Sequence, residues 1–536
     1  MNRFFIVTYI ILLNTTWAFA QEKPTASNRN VKVIWGPDIE IPNGFEDLYF
    51  YKDKSNKLYY LNLSKEKLIN FSSNDYVLFT QFDNSFKTKK KDTLKVSKKF
   101  TREHRFQDFL NIGGEDYFFH SKWIKSEKTD RLFAERISTE LFQSELEKKS
   151  IMEIDKHLGK YEPESGWFNF HKNNDNDLLL VTYNKKLKIK TKDGNTSLAE
   201  LNLFDKKLNL LWRKEMEMPF PENEIKDYEY RFDKEGNVYL ILERKLKIET
   251  ERNKYTEVLN YELFRIGLDT IESIPINLNF NNTYLHYIQL LQNKRGNLQL
   301  FAIYSNRAKG ICGIGSAEFV NGVFTDFIEN TPPEGLRMLF ESSKTTKQMD
   351  HKKMIGEDAG INFRSFDLYE NDDGTFTFLA EESIDATFDH LSGNYFNNGT
   401  LNCLDIYVTY LDSTGKMIWA GKIPKEQEGA YSPNLMSYCY NYYKGNHYFL
   451  FNDNSKNMNL YIDDGPAMYT NNYKGMLTAI RLDKEGNMYR QNLFDIGEID
   501  KTINPNKPFQ IAPNKIVFDA FRNNEHKLVL FQFGDD

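Results

Sequence analysis

Glu229-Tyr230-Arg231-Phe232-Asp233-Lys234-Glu235-Gly236-Asn237-Val238-Tyr239-Leu240-Ile241-Leu242-Glu243 reads as two apolar-rich runs joined by a turn. Glu229–Phe232 and Val238–Glu243 are the expected strands of a hairpin. An Asp at the first turn position bonds back to the backbone and fixes the bend. A Gly at the fourth supplies the positive φ of a type I turn closed by a G1 bulge. The same chemistry recurs at Asp53–Asn56, Asn111–Gly114, Asn173–Asn176, Asn293–Gly296, Asn371–Gly374, Tyr442–Gly445 and Ile511–Asn514. The Gly/Asn slots at 56, 114, 176, 236, 296, 374, 445 and 514 are therefore 58 to 78 residues apart. Three positions beyond the slot often stands Tyr59, Tyr117, Tyr239, Tyr448 or Val517. A hairpin repeated at that interval is the signature of β-propeller blades.

The chain between these turns divides into four-stranded blades. Tyr261–Ile266 and Thr270–Ile276 form the expected second hairpin after Gly236, and second hairpins recur near Asn84, Gln143, Lys206, Leu268, Asn321, Thr414 and Glu485. Seven second hairpins stand against eight first ones. After Asn514 only Lys515–Phe521 and Lys527–Phe533 remain, while Val31–Trp35 is a spare strand ahead of the first repeat. Pairing the two ends closes the ring and removes open sheet edges. The expectation is an all-β fold: one propeller over 31–536, eight blades with seven as the alternative, closed by the N-terminal strand. Thr139–His157 reads as a helix, or Leu146–Asp155 within it as the outer strand of the second blade. Gly310–Ser316 reads as a close-packed strand, and 330–360 as an insertion, opened by Pro332-Pro333-Glu334.

Composition agrees with half-buried sheet surface: 15% of residues are aromatic, including 42 Phe and 31 Tyr. A net charge of −6 and a pI near 6.0 argue against a nucleic-acid binder. The abundance of Lys, Asn, Ile and Tyr points to an AT-rich bacterial genome. Residues 1–20 read as a signal peptide: Arg3, an apolar Phe4–Leu13, and Ala18-Phe19-Ala20 before Gln21, with 21–30 as linker. No later stretch is long and apolar enough for a membrane helix. Export to the periplasm, or secretion to the cell surface, is the resulting expectation. The three cysteines, Cys312, Cys403 and Cys439, allow one disulfide at most, with Cys403–Cys439 the better pair and three buried thiols the competing reading.

Leu411-Asp412-Ser413-Thr414-Gly415-Lys416-Met417-Ile418-Trp419 resembles the tryptophan-docking motif of quinoprotein-like eight-bladed propellers, and Phe204-Asp205…Trp212 repeats its Asp-to-Trp interval of seven. That family includes quinone-dependent dehydrogenases and envelope scaffold proteins. The interval here is one residue short and Trp recurs in two second hairpins only, so the resemblance extends to the fold and not to quinone binding. The S-x-D-x-G-x-x-W turn of sialidase-type propellers also fails to match, because Asp and Gly here are three apart.

Catalytic, cofactor and metal residues are not indicated. His351 and His447 have no sequence partners for a triad, and the chain lacks both a G-x-S-x-G elbow and a phosphate-cradling glycine loop. Asp372-Asp373 and Asp463-Asp464 read as solvated turn carboxylates, and Asn173–Asp177 as a hairpin tip. Lys87, Lys89, Lys90, Lys91, Lys95, Lys98, Lys99 and Arg102 make a basic cluster, read first as a solvated face. Tyr440–Tyr443 and Tyr461–Tyr473 offer aromatic contact area. The function that follows is an exported, monomeric binding or scaffold propeller of the cell envelope, taking a protein or glycan partner. A channel-sited carbohydrate-active hydrolase or lyase is the alternative, and a small-ligand or metal sensor a third.

Overall fold

The computed structural model describes residues 30–534 apart from 40–44, 53–56, 65–75, 84–87, 96–103, 139–142, 156–160, 164–167, 188–195, 234, 251–253, 277–282, 307–309, 332–362, 386–400, 430–434, 460–464, 471–474 and 523–524. The leader at 1–20 and nearly all of the insertion at 330–360 lie outside the described residues. So do the first turn at Asp53–Asn56, His351, Asp463 and Asp464, the Tyr461 and Tyr473 ends of the second aromatic stretch, and Lys87, Lys98, Lys99 and Arg102.

Eight mainly antiparallel sheets follow one another along the chain, as blades 1 to 8. Their innermost strands begin at Phe45, His104, Tyr161, Ile225, Thr283, Phe363, Cys439 and Thr502. The expected strands around Gly236 are present as Ile225–Phe232 and Val238–Thr250. Gln143–Asp155 is the outer strand of blade 2, which decides between the two readings of that charged stretch. Gly310–Val320 is a strand despite its glycine-rich start, as its place in the repeat predicts.

Ring closure follows the strand count. Val31–Ile39 pairs antiparallel with Glu525–Phe533, with Val31 opposite Phe533 and Trp35 opposite Val529, and becomes the outer strand of blade 8. The core explains why the ring holds. Its apolar clusters lie in seams between neighbouring blades: Leu240 and Phe232 of blade 4 with Leu201 and Met216 of blade 3, for example. The seam that joins the last blade to the first contains Ile39, Phe50, Leu58, Tyr60, Val517 and Leu530. Neither end of the chain can bury these side chains without the other.

The turns show their chemistry directly. Asp233 Oδ1 accepts the Asn237 N–H at 2.8 Å, and Gly236 has φ +79°. Tyr239, the recurrent residue three beyond the slot, donates its hydroxyl to Asp233 Oδ2 at 3.0 Å. Asn293 opens its turn in the same manner, accepting from the Arg295 and Asn297 N–H groups. Three turns differ from expectation. Gly113-Gly114 and Lys444-Gly445 are two-residue connections with positive φ at both positions, the geometry of a type I′ turn rather than a type I turn with a bulge. Asn514 is absent from the positive-φ residues: Pro513-Asn514 joins Phe509–Ala512 to Lys515–Arg522 as a tight turn without it.

At four seams the outer strand locks the second-hairpin turn of the next blade. Lys149 of blade 2 donates to the Leu208 carbonyl at 2.7 Å, and Lys214 of blade 3 to the Gly267 and Thr270 carbonyls at 2.9 Å. Asn330 of blade 5 donates to the Gly415 carbonyl at 2.8 Å. Trp419 of blade 6 donates its indole N–H to the Lys484 carbonyl at 3.0 Å and packs on Gly486. The Asp-to-Trp motif thus acts as a blade-to-blade clasp at this seam.

Candidate functional site

The innermost strands of blades 1, 2, 4, 5 and 6 carry a register break, at Asp47/Tyr49, Phe106/Asp108, Ile225/Asp227, Leu285/Tyr287 and Phe363/Ser365. Such a bulge bends the strand and re-aims the side chains beyond it. At or just past it, a carboxylate stands at one common register on alternate blades. Asp108 faces Phe119, Glu229 faces Ile241 and Asp367 faces Leu379 across their hairpins. Burial holds all three carboxyls above the ordinary range.

Their surroundings differ. Asp108 feels Lys172 of blade 3, and Glu229 pairs with Arg231 on its own strand. Tyr287 of blade 5 lies within the field of both Glu229 and Asp367, and burial followed by these charges pushes its phenol up to about 12. Its hydroxyl donates to Gln289 Oε1 at 3.2 Å, and its ring stacks on Phe366 with centroids 4.9 Å apart. Asp367 accepts a hydrogen bond from the Tyr438 hydroxyl at 3.4 Å, and the like-charged Glu381 acts on it from behind.

Two adjoining cavities open beside Asp367, where the innermost strands of blades 6, 7 and 8 meet. One, of about 460 Å³, is lined by Asp367, Tyr438, Asn506 and Pro508 among others. The second, of about 450 Å³, is lined by Glu370, Asp372, Tyr442 and Pro513 among others. Tyr369, Tyr440, Asn441 and Gln510 belong to both. Volumes of this order suit small ligands or inserted side chains.

The walls are fixed by their own hydrogen bonds. Gln510 Nε2 donates to Asn441 Oδ1 at 3.1 Å, and Asn441 Nδ2 to the Pro513 carbonyl at 3.1 Å. Asn506 Nδ2 donates to the Met436 carbonyl at 3.0 Å. Tyr369 and Tyr440 form an aromatic corner, with centroids 4.7 Å apart at 42°. Behind Tyr440 lies His447, fully buried, whose Nδ1 stands 3.1 Å from the Tyr440 hydroxyl and 3.2 Å from Thr377 Oγ1. Tyr410, Trp419 and Tyr442 surround the imidazole, and burial lowers its pKa to about 3. It is a neutral core histidine supporting the wall.

The sequence points to part of this site. Of Tyr440–Tyr443, residues 440–442 supply cavity wall, from the innermost strand Cys439–Tyr443. Tyr442 donates to Asp373 at 2.6 Å, so one member of the Asp372-Asp373 pair is a structural acceptor while Asp372 sits at the cavity rim. No motif marks Asp367, Asn506 or Gln510. They belong to blades 6 and 8 and meet only where the innermost strands converge; the common register of Asp108, Glu229 and Asp367 is the one signal that could have found the first of them. Cys403 and Cys439 are both buried thiols with no bridge between them. Cys403 lies on the third strand of blade 6 and Cys439 on the innermost strand of blade 7, at different radii of the disc. Lys89 and Lys91 are exposed on the outer strand of blade 1, as a solvated face requires. Asn173 caps its own hairpin, accepting the Asp177 and Leu178 N–H groups at 3.0 Å. Among the described residues no group of three or more His, Cys, Asp or Glu is placed to hold a metal, and no helix is long and apolar enough to cross a membrane.

No family model and no curated protein matches the chain. Among solved structures it is similar to prolyl oligopeptidase B of Galerina marginata, at 8% identity and TM-score 0.37, over 95% of this chain and 56% of that one. The chain thus spans about half the length of that protein. It is also similar to the β-propeller domain of the Trilobed protease from Pyrococcus furiosus (10% identity, TM-score 0.32, 84% and 98% covered). A third similarity is to the α-L-arabinanase of Penicillium chrysogenum (11% identity, TM-score 0.27, 66% and 93% covered). These likenesses are remote and concern fold alone. The chain is an eight-bladed β-propeller only loosely similar to characterised ones.

Proposed function

We propose that the protein is an exported binding or scaffold propeller of the bacterial cell envelope, periplasmic or cell-surface associated, acting as a monomer on a protein or glycan partner. The observation that carries this reading is the double cavity between blades 6, 7 and 8. Its aromatic and amide walls are held by internal hydrogen bonds, which is how a recognition surface is pre-organised at low entropic cost. The leader-like first twenty residues support export. Crosslinking of tagged protein in intact cells, followed by mass spectrometry, tests the reading. A specific envelope partner captured near stoichiometry is the expected result; capture no greater than that of an unrelated exported protein would overturn it.

The carboxylates at one register, raised by burial, favour one second reading: a hydrolase or lyase acting on carbohydrate in the channel. Glycan turnover by purified protein, abolished by Asp367→Asn or Glu229→Gln, would establish it.

A further inference from the structure

We propose that the double cavity receives a lysine or arginine side chain of a protein partner, with Asp367 as counter-ion and Tyr369, Tyr438 and Tyr440 as its aromatic walls. This inference rests on the binding-propeller reading and specifies the chemistry of its site.

Charge comes first. The described lining residues include Asp367, Glu370 and Asp372 but no Lys, Arg or His. At the turn end these acids are already answered. Lys294 of blade 5 reaches Asp372 Oδ1 at 3.4 Å, and its backbone N–H donates to Glu370 Oε1 at 2.7 Å. Asp367, at the deeper end, has a phenol for its partner, and the charge acting on it is the like charge of Glu381. Glu381 is itself committed to Lys425, 2.8 Å away. Burial holds the Asp367 carboxyl above the ordinary range, and an entering cation would supply a countercharge.

Hydrogen bonding points the same way. The donors of the wall amides are directed into the wall, to Asn441 Oδ1 and to the carbonyls of Pro513 and Met436. Tyr438 donates to Asp367. What the wall offers an occupant is above all an acceptor, the carboxyl of Asp367. An ammonium brings three donors and a guanidinium five, with no acceptor to satisfy. A sugar hydroxyl must also accept, and this wall has few donors for it. Tyr rings provide faces for a cation, an attraction that strengthens as water is excluded.

Shape identifies the carrier. The two lobes succeed one another along Ser437 to Tyr442, which includes most of the innermost strand of blade 7. A peptide segment laid beside that strand would fill both lobes and insert one cationic side chain, whereas a lone amine would fill a fraction of one.

The test is calorimetric titration of the full mature chain with acetyl-Gly-Lys-Gly-amide, its arginine and norleucine counterparts, and maltotriose. The lysine and arginine peptides are expected to bind at least about tenfold more tightly than the norleucine peptide. Asp367→Asn is expected to remove that preference, and Tyr369→Leu to weaken binding several-fold. Tyr369 is 39% exposed, so its replacement tests the site even where Asp367→Asn fails to fold. Equal binding of lysine and norleucine peptides, preference for maltotriose, or no binding to folded protein at about 10 mM peptide would overturn the proposal. In-cell crosslinking separates the two levels. A partner captured equally by wild type and Asp367→Asn retains the binding reading and removes this site, while no partner for either removes the reading itself.

Discussion

Replacing Lys425 by methionine removes one half of an ion pair sealed within blade 6. Its Nζ lies 2.8 Å from Glu381 Oε1, and both side chains are 0% exposed. The carboxylate oxygens make no well-aligned hydrogen bond, so Glu381 depends on the charge of Lys425. Lys425 Nζ also donates to Gln427 Oε1 at 3.0 Å, which accepts from the Ser437 N–H, while Gln427 Nε2 donates to the Asn452 carbonyl at 2.8 Å. The ion pair therefore anchors a link into blade 7. Breaking a buried pair from one side costs about 3–5 kcal/mol, because the remaining charge is uncompensated. Replacing both partners by apolar residues costs far less, and the Gln427 bond adds back about 1 kcal/mol. Urea unfolding of Lys425→Met, Glu381→Leu and the double variant should thus give a coupling of at least about 4 kcal/mol, with the double variant more stable than either single one. A Lys425→Met loss below about 1 kcal/mol, or a double loss equal to the sum of the singles, would refute the reasoning.

Other consequences are equally direct. Deleting 31–39 uncovers Val529 and Phe531 and opens the seam of blades 8 and 1; the truncated chain is expected to elute as larger species in size-exclusion chromatography, through its exposed strand edge. Asp116 is 3% exposed and burial raises its carboxyl to about 7, so it withdraws stability as pH climbs from about 4 to 7. Asp116→Asn should then stabilise the protein by a few kcal/mol at pH 8 and by little at pH 4, as read by urea midpoints. His447 works in the opposite sense: its pKa is lowered to about 3, so the stability it contributes is complete above pH 6.5 and falls as pH drops toward 3. His447→Gln should flatten that acid limb by up to about 1.4 kcal/mol per pH unit, whatever its effect on absolute stability. Gly374 and Gly415 have φ of +81° and +87°, but a Cβ on Gly374 meets open space while one on Gly415 would lie 2.1 Å from Ser316 Oγ. Gly374→Ala should cost roughly 1 kcal/mol and Gly415→Ala distinctly more, by thermal unfolding.

The fold is legible in the sequence because its determinants are local. Asp233, Asn293 and Gly236 announce a turn whatever lies beyond it, and strand counting exposes the missing partner that Val31–Ile39 supplies. Turn type is less legible: Gly113-Gly114 suits a bulged type I turn as well as the type I′ turn that forms, since glycine tolerates both. The pairing of Cys403 with Cys439 cannot be judged without knowing radial position in the blade. Tyr440 and Tyr442 are visible as aromatic surface, yet Asp367 and Gln510 join them only because the innermost strands of three blades converge. A site assembled from separate blades leaves no continuous motif.

The most direct measurement places a photo-crosslinking amino acid at Asp372, 76% exposed on the cavity rim, and, separately, at Leu268, 57% exposed on the outer turn of blade 4. Irradiation of intact cells should give a discrete protein adduct from position 372, lost when Asp367→Asn is added, and none from position 268. An adduct from 268 alone, or from 372 regardless of Asp367, would contradict the account.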